Sequence, residues 1–196
     1  MAELQIGHPP LVHLSITYYN VYLMPFSRKS TRLSPPNYLG QKVYFITVCC
    51  DRRHSYLADT PTAKQVLAIL HDVATKCAFL LHAYCAMPDH IHFLVHGINA
   101  DSNLLRFMKE FKSRTAYLFK IEHGQQLWEM SYYEHMVRKS NDLNSVACYI
   151  WNNPVRQGLC KQPEQFPFSG SCTIDWIKSA RIENAFVPPW KPTRPV

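Results

Sequence analysis

Two runs of strand-forming residues, Phe79–Met87 and His90–His96, stand two residues apart, with Pro88-Asp89 between them. A link that short leaves no room for a crossover, so the two runs pair antiparallel. Side chains alternate between faces along a strand. His90, His92, Leu94 and His96 therefore share one face, while Ile91, Phe93 and Val95 share the other and supply core. Two imidazoles separated by one residue converge on one point, and a pair of neutral imidazoles is a ligand set for a divalent metal. The competing explanation is a solvated strand face that holds histidines for no chemical reason. H-x-H alone does not decide between the two.

The flanking sequence extends the hairpin into a sheet. Lys42–Cys49 is β-branched and aromatic and reads as a strand, followed by a polar turn at Asp51–His54. Thr60-Pro61 predicts a helix capped at Thr60, with proline in the first helical position, running to Lys76 with Val66, Ile69, Leu70 and Val73 at helical spacing. Asp101 is expected to cap a second helix carrying Leu104, Leu105, Met108, Phe111 and Leu118. Trp128–Arg138 is a candidate fourth strand. Asn141 or Asp142 is expected to cap a third helix reaching Trp151 or Asn153, with Pro154 ending or kinking it and Gly158 closing it. Strand, helix, strand, strand, helix, strand, helix with short hairpins predicts an α+β fold, a ferredoxin-like antiparallel sheet with helices packed on one face.

Residues 1–34 are broken by HPP, MPF and LSPP and carry the basic run SRKSTR. They are expected to form a poorly ordered extension, with Met24 an alternative start to Met1. Residues 35–172 form the expected domain. Residues 173–196 are expected to be a tail lying loosely on it.

The chain has 196 residues and a formal net charge of +7, which favours nucleic acid or another anionic surface as partner. Its seven cysteines are odd in number and form no C-x-x-C pair, which argues against a disulfide framework or a zinc knuckle and suits the cytoplasm. No apolar run of ~18 residues exists, so no membrane partner is expected. No signal peptide is visible.

A third ligand and a reactive group are available in YIWNNPVRQGL, Tyr149 to Leu159. On a helix, Tyr149 and Asn153 are four apart and share a face. Leu143, Ala147 and Ile150 form the neighbouring apolar stripe, which puts Tyr149 near the boundary of core and solvent. The Asn153 amide oxygen could complete a His-His-Asn site with the Tyr149 phenol beside it. Taken singly, Tyr149 reads better as a packing residue and Asn153 as a helix-terminal one. Mixed nitrogen and oxygen donors fit Mg²⁺ or Mn²⁺, Mn²⁺ being the better match for imidazole. Arg106, Lys109, Lys112, Arg114 and Lys120 run along the second helix, as phosphate contacts or as a solvated face. Trp128, Tyr132 and Tyr133 could stack unpaired bases or pack in the core.

These segments, in order, resemble a known family. NYLGQKVYFITVC, MPDHIHFLV, LLRFMKEFKSRTA, WEMSYYEHMVR, YIWNNPVRQGL and FPFSGS are similar to segments of the single-tyrosine HUH transposases of the insertion-sequence 200 type, and within them to the REP-associated tyrosine transposases. The resemblance covers about residues 35 to 172. It implies an enzyme that nicks and rejoins single-stranded hairpin DNA through a covalent 5′-phosphotyrosine. By position, Tyr149 falls on the nucleophile, His90 and His92 on the HUH pair, and Asn153 on the third polar metal ligand. Arg138 becomes an expected neighbour of the DNA. The resemblance is compatible with a monomer or a homodimer.

Two classes of rival stand beside it, other enzymes and a binder that does not cut. A histidine-triad nucleotide hydrolase needs a third histidine where Leu94 stands, and a metallo-β-lactamase-type site needs acid and histidine at Leu94-Val95. A domesticated hairpin-binding protein without cleavage would keep the same fold.

Overall fold

Residues 32–138 and 143–180 are described by the structure, a computed structural model. Most of the expected N-terminal extension, residues 181–196 and the capping candidates Asn141 and Asp142 lie outside them. The strands are β1 (Val43–Cys49), β2 (Phe79–Met87), β3 (His90–Gly97), β4 (Tyr133–Val137) and β5 (Ser169–Gly170). They form one antiparallel sheet in the order β4-β1-β3-β2-β5. The expected hairpin is present, with Met87 opposite His90 and Phe79 opposite Gly97. The sheet and its helices make the α+β class read from the sequence.

Helices α1 (Thr60–Lys76) and α2 (Leu104–His123) cover one sheet face. Leu70, Val73, Phe107 and Phe111 pack there with Ile46, Ile91, Phe93 and Val95. Each such side chain contributes ~1.5–3 kcal/mol on burial, so this layer is the main core. Both helices start one or two residues away from the expected caps. Asp59, not Thr60, caps α1 by accepting from the Thr62 amide at 2.9 Å. Asn103, not Asp101, caps α2 by accepting from the Arg106 amide at 3.1 Å.

Helix α3 (Leu143–Trp151) lies against the opposite face, with Phe45, Ala83, Cys85 and Leu94. The one-face arrangement thus holds for α1 and α2 and not for α3. The reason lies in its sequence. Every side chain from Val146 to Trp151 is buried, and a helix apolar all round needs cover on both sides. The remaining cover comes from the FPFSGS stretch and the segment after it. Cys148 Sγ donates to the Ser179 carbonyl at 2.9 Å, Asn152 Nδ2 donates to the Ala180 carbonyl at 3.0 Å, and Trp151 Nε1 donates to the Gly170 carbonyl at 3.0 Å. Residues 173–180 are thus packed more closely than a loose tail.

The strand expected over Trp128–Arg138 shortens to β4. Trp128 is buried, bridges Cys50 in isolation, and donates its indole N–H to Thr115 Oγ1 at 2.7 Å. Strand β2 carries a bulge between Leu81 and Ala83. His82, the extra residue of the bulge, lies on the histidine face, where its Nε2 is 3.4 Å from His96 Nδ1.

Candidate active site

On the α3 face, Thr47 pairs with His92 on one side and Tyr133 on the other, and Cys49 pairs with His90. The two histidines converge as alternation requires: His90 Nε2 and His92 Nε2 are 3.0 Å apart. Their other nitrogens are held. His90 Nδ1 lies 2.6 Å from Asp89 Oδ1, and His92 Nδ1 lies 2.8 Å from Thr47 Oγ1. Burial opposes ionisation of Asp89, yet the hydrogen bond from His90 and the charge of Arg53 hold its carboxyl below the ordinary range. An ionised carboxylate only accepts, so His90 Nδ1 donates and its Nε2 lone pair is directed at His92. In the absence of a cation, His92 Nε2 donates to that lone pair and its Nδ1 accepts from the Thr47 hydroxyl. Thr47 can also accept, so it suits equally the other tautomer of His92, in which both Nε2 lone pairs are turned to a shared cation.

The donor set fits a divalent ion. Two nitrogens 3.0 Å apart match adjacent corners of an octahedron with bonds of about 2.1 Å. Outer partners such as Asp89 and Thr47 are what metal-binding histidines usually carry. Among the described residues, no group of three or more His, Cys, Asp or Glu side chains is placed to bind a metal, so any third protein donor must be of another kind.

The Asn153 amide oxygen is a group of that kind, and a helix break orients it. The chain turns at Asn152 and resumes as α4 (Asn153–Arg156). Pro154 has no N–H to give the Ile150 carbonyl. Asn153 Nδ2 takes that place, donating to the Ile150 carbonyl at 3.2 Å and to the Tyr149 carbonyl at 3.1 Å. With its nitrogen committed to the backbone, the amide offers its oxygen. Gly158 then closes α4 at φ +71°, with Leu159 N donating to the Pro154 carbonyl and Gly158 N to the Val155 carbonyl, a Schellman ending.

Tyr149 sits deeper than the expected core boundary, only 4% exposed. Its ring lies 6.1 Å from Phe45 and 6.4 Å from His92 between centroids. On its other side the Arg156 guanidinium lies over the ring. Burial lowers the pKa of Arg156, against the opposing influence of Tyr149.

A cleft of about 580 Å³ brings together His90, His92, Tyr149 and Asn153, with Arg53 and Tyr133 also on its walls. Burial, then the charge of Glu134, pushes the Tyr133 phenol up to about 12. The basic residues of α2 are not part of this cleft, because α2 covers the other sheet face. Arg106, Lys109 and Lys120 are exposed there. Lys112 Nζ donates to the Glu129 and Met130 carbonyls at 2.8 Å, and Arg114 pairs with Asp72. Arg138 is exposed just past β4. Trp128 is core, and Tyr132 lies under the Arg32 guanidinium at 4.2 Å.

Leu94, where a histidine triad needs its third histidine, is fully buried beneath α3, and His96 engages His82 instead. Thr47, Asp89, Arg53 and Arg156 were not singled out from sequence. Two had a legible signal: Asp89 adjoins His90 in the hairpin turn, and Arg156 follows Tyr149 by seven residues, about two helical turns.

Known proteins share much of this sequence and its fold. Residues 40–153 match the family model described as "Transposase IS200 like". A REP-associated tyrosine transposase of Escherichia coli (strain K12) is 26% identical over 147 residues, which is 71% of this chain and 87% of that protein. A solved structure described as the REP-associated tyrosine transposase bound to a REP hairpin superposes with a TM-score of 0.59 at 25% identity, covering 70% of this chain and 79% of that one. The chain belongs to the IS200-like transposase family, and REP-associated tyrosine transposases are among its relatives there.

Proposed function

We propose that the chain nicks and rejoins single-stranded hairpin DNA, with Tyr149 as nucleophile and His90, His92 and Asn153 as ligands of Mg²⁺ or Mn²⁺. The observation that carries this reading is the Tyr149 ring against His92, in the cleft where the two Nε2 atoms converge at 3.0 Å. The hairpin bound in the related structure supports a hairpin as substrate here.

A phenol is mostly protonated at neutral pH, so Tyr149 must give up its proton as it attacks. Its oxygen forms a bond to the scissile phosphorus, the bond to the 3′ oxygen breaks, and that oxygen takes up a proton. The strand is left joined to Tyr149 through its 5′ phosphate, and the phosphodiester energy is conserved. A second 3′-hydroxyl reverses the attack and rejoins DNA. A bound divalent cation would polarise a non-bridging oxygen of that phosphate. Asp89 and Thr47 keep the two imidazoles turned to the cleft, and Phe45 and Arg156 hold the tyrosine ring.

Arg106, Lys109, Lys120 and Arg138 are proposed as phosphate contacts away from the cleft. Lys112 and Arg114 would have to leave internal partners to join them. One chain supplies all four central residues, so a monomer suffices under this reading. Its free cysteines suit the reducing cytoplasm.

The test is incubation with labelled hairpin DNA from beside its own gene, with Mn²⁺ or Mg²⁺, and a denaturing gel. A metal-dependent covalent adduct that vanishes in Tyr149→Phe is the expected result. Tight binding with no adduct on any flanking hairpin would instead make this a hairpin-binding protein that does not cut.

A further inference from the structure

A DNA strand brought to Tyr149 arrives with its phosphates, and the cleft holds few positive charges to meet them. Among the described residues that line it, Arg53 is the single arginine or lysine. The basic residues of α2 are on the other face of the sheet.

Arg53 is held in an unusual way. Arg52 and Arg53 have φ angles of +49° and +59°, two successive non-glycine residues in the left-handed region. Each costs roughly 1–2 kcal/mol against an ordinary backbone. The turn is pinned on both sides: Cys50 N donates to the Asp89 carbonyl and Asp51 N to the Leu127 carbonyl, both at 2.9 Å. Arg53 N and His54 N close it, donating to the Cys50 and Asp51 carbonyls at 3.0 Å. Glycine would make the same turn without strain, so the turn alone does not call for arginine. Residues kept in such conformations gather at functional sites.

The side chain is tied to the histidine pair. Arg53 Nη1 donates to Asp89 Oδ2 at 3.2 Å, while Asp89 Oδ1 accepts from His90 Nδ1 at 2.6 Å. One carboxylate thus fixes the guanidinium and the imidazole relative to each other. A guanidinium carries five N–H donors in a planar fork that matches phosphate geometry. The contact with Asp89 uses one, and the side chain is 54% exposed.

We infer that Arg53 binds the phosphodiester that lies beside His90 at the point of Tyr149 attack, with Asp89 setting its angle. The inference rests on the DNA-cleaving reading above. It assigns the cleft a phosphate-binding residue supplied by the loop after β1 and separate from the basic surface of α2.

The experiment is a cycle of protein and DNA changes, with binding measured in the Tyr149→Phe protein so that no strand is cut. Arg53→Gly removes the guanidinium and keeps the turn. On the DNA, a methylphosphonate removes the charge of one linkage at a time, at the cleaved position and at each neighbour. On unmodified hairpin, Arg53→Gly weakens binding roughly tenfold, as expected for loss of a charge-assisted contact. On the hairpin neutralised at the contacted linkage, the same substitution has little further effect, because that contact is already gone. If Arg53 only braces Asp89, the two losses multiply at every linkage, and the inference fails. If Arg53→Gly melts well below its parent, Arg53→Lys runs the same cycle, since it keeps the charge and loses the fork. Cleavage by the wild type separates the two levels. Cleavage with multiplying losses overturns Arg53 alone, whereas no cleavage of any flanking hairpin overturns the functional reading and this inference with it.

Discussion

The Arg156 guanidinium lies 4.1 Å from the centre of the Tyr149 ring, and its Nη2 donates to the Tyr149 carbonyl at 2.8 Å. One side chain therefore grips both the backbone and the ring of the same residue. A cation on a ring face is worth about 0.5–2 kcal/mol, more where water is excluded. Arg156→Met is expected to slow single-turnover cleavage about tenfold, while hairpin affinity stays within about twofold. Arg156→Lys should recover part of the rate, since it restores charge without the planar stack. An equal loss in rate and in binding would point to a disturbed fold instead.

Pro154 acts through the hydrogen bond it does not make. Alanine there would offer an N–H to the Ile150 carbonyl, where Asn153 Nδ2 now donates at 3.2 Å. The helix could then run on through residue 153, and the Asn153 amide would lose its anchor. Pro154→Ala is expected to keep or raise the melting temperature, because it supplies the N–H that would let α3 run into α4 without a break. Metal-dependent cleavage should fall by at least tenfold, on the order of a lost ligand's orienting partner. A variant that melts higher and cleaves as before would show that the kink does not position Asn153.

The hairpin and the two-residue spacing made β2, β3 and the convergence of His90 with His92 readable from sequence, because alternation is set by backbone geometry alone. The pairing of Thr47 with His92 was not readable, since register between β1 and β3 depends on how the whole sheet packs. The helix starts at Asp59 and Asn103 were each missed by one or two residues, because several polar residues compete there for the same amides. The face chosen by α3 escaped for a different reason. Its apolar stripe, read as Leu143, Ala147 and Ile150, looked one-sided, and the cover supplied by Ser179 and Ala180 is distant in sequence. Tyr149 was accordingly placed too near solvent. Arg53 gave no local signal, since positive φ at an arginine is a tertiary outcome and not a propensity.

Asp89 and Thr47 should matter to metal affinity more than to the fold. Each holds the Nδ1 of one histidine, at 2.6 and 2.8 Å. Loss of such outer partners usually weakens metal binding 10–100-fold. Asp89→Asn and Thr47→Val are each expected to raise the Mn²⁺ concentration for half-maximal cleavage by about tenfold or more. For Thr47→Val, near-wild-type rates should return at saturating metal, whereas Asp89→Asn also loosens Arg53 and should keep a deficit in hairpin affinity. A lower rate that extra Mn²⁺ does not restore in Thr47→Val would argue that Thr47 acts on the DNA and not on the ligand.

His82 should make the fold sensitive to mild acid. It is 8% exposed, with Nδ1 at 2.7 Å from Thr173 Oγ1 and Nε2 at 3.4 Å from His96 Nδ1. Burial, then the charge of His96, lowers its pKa below the ordinary 6.5. Burial also lowers those of His71 and His135, with Arg138 adding to the effect at His135. A lowered folded-state pKa means that the unfolded chain binds more protons in the window below 6.5. Stability is then fully present above that pH and declines as pH falls toward the folded-state values. Asp89, whose pKa is depressed from 3.8, contributes its own loss only in stronger acid, so the two windows separate. Thermal melts are expected to be flat above about pH 7 and to fall as the pH drops below about 6.5. His82→Gln keeps a polar partner for Thr173 and cannot take up a proton, so its decline over that range should be shallower. Parallel slopes for the two proteins would assign the acid sensitivity to other groups.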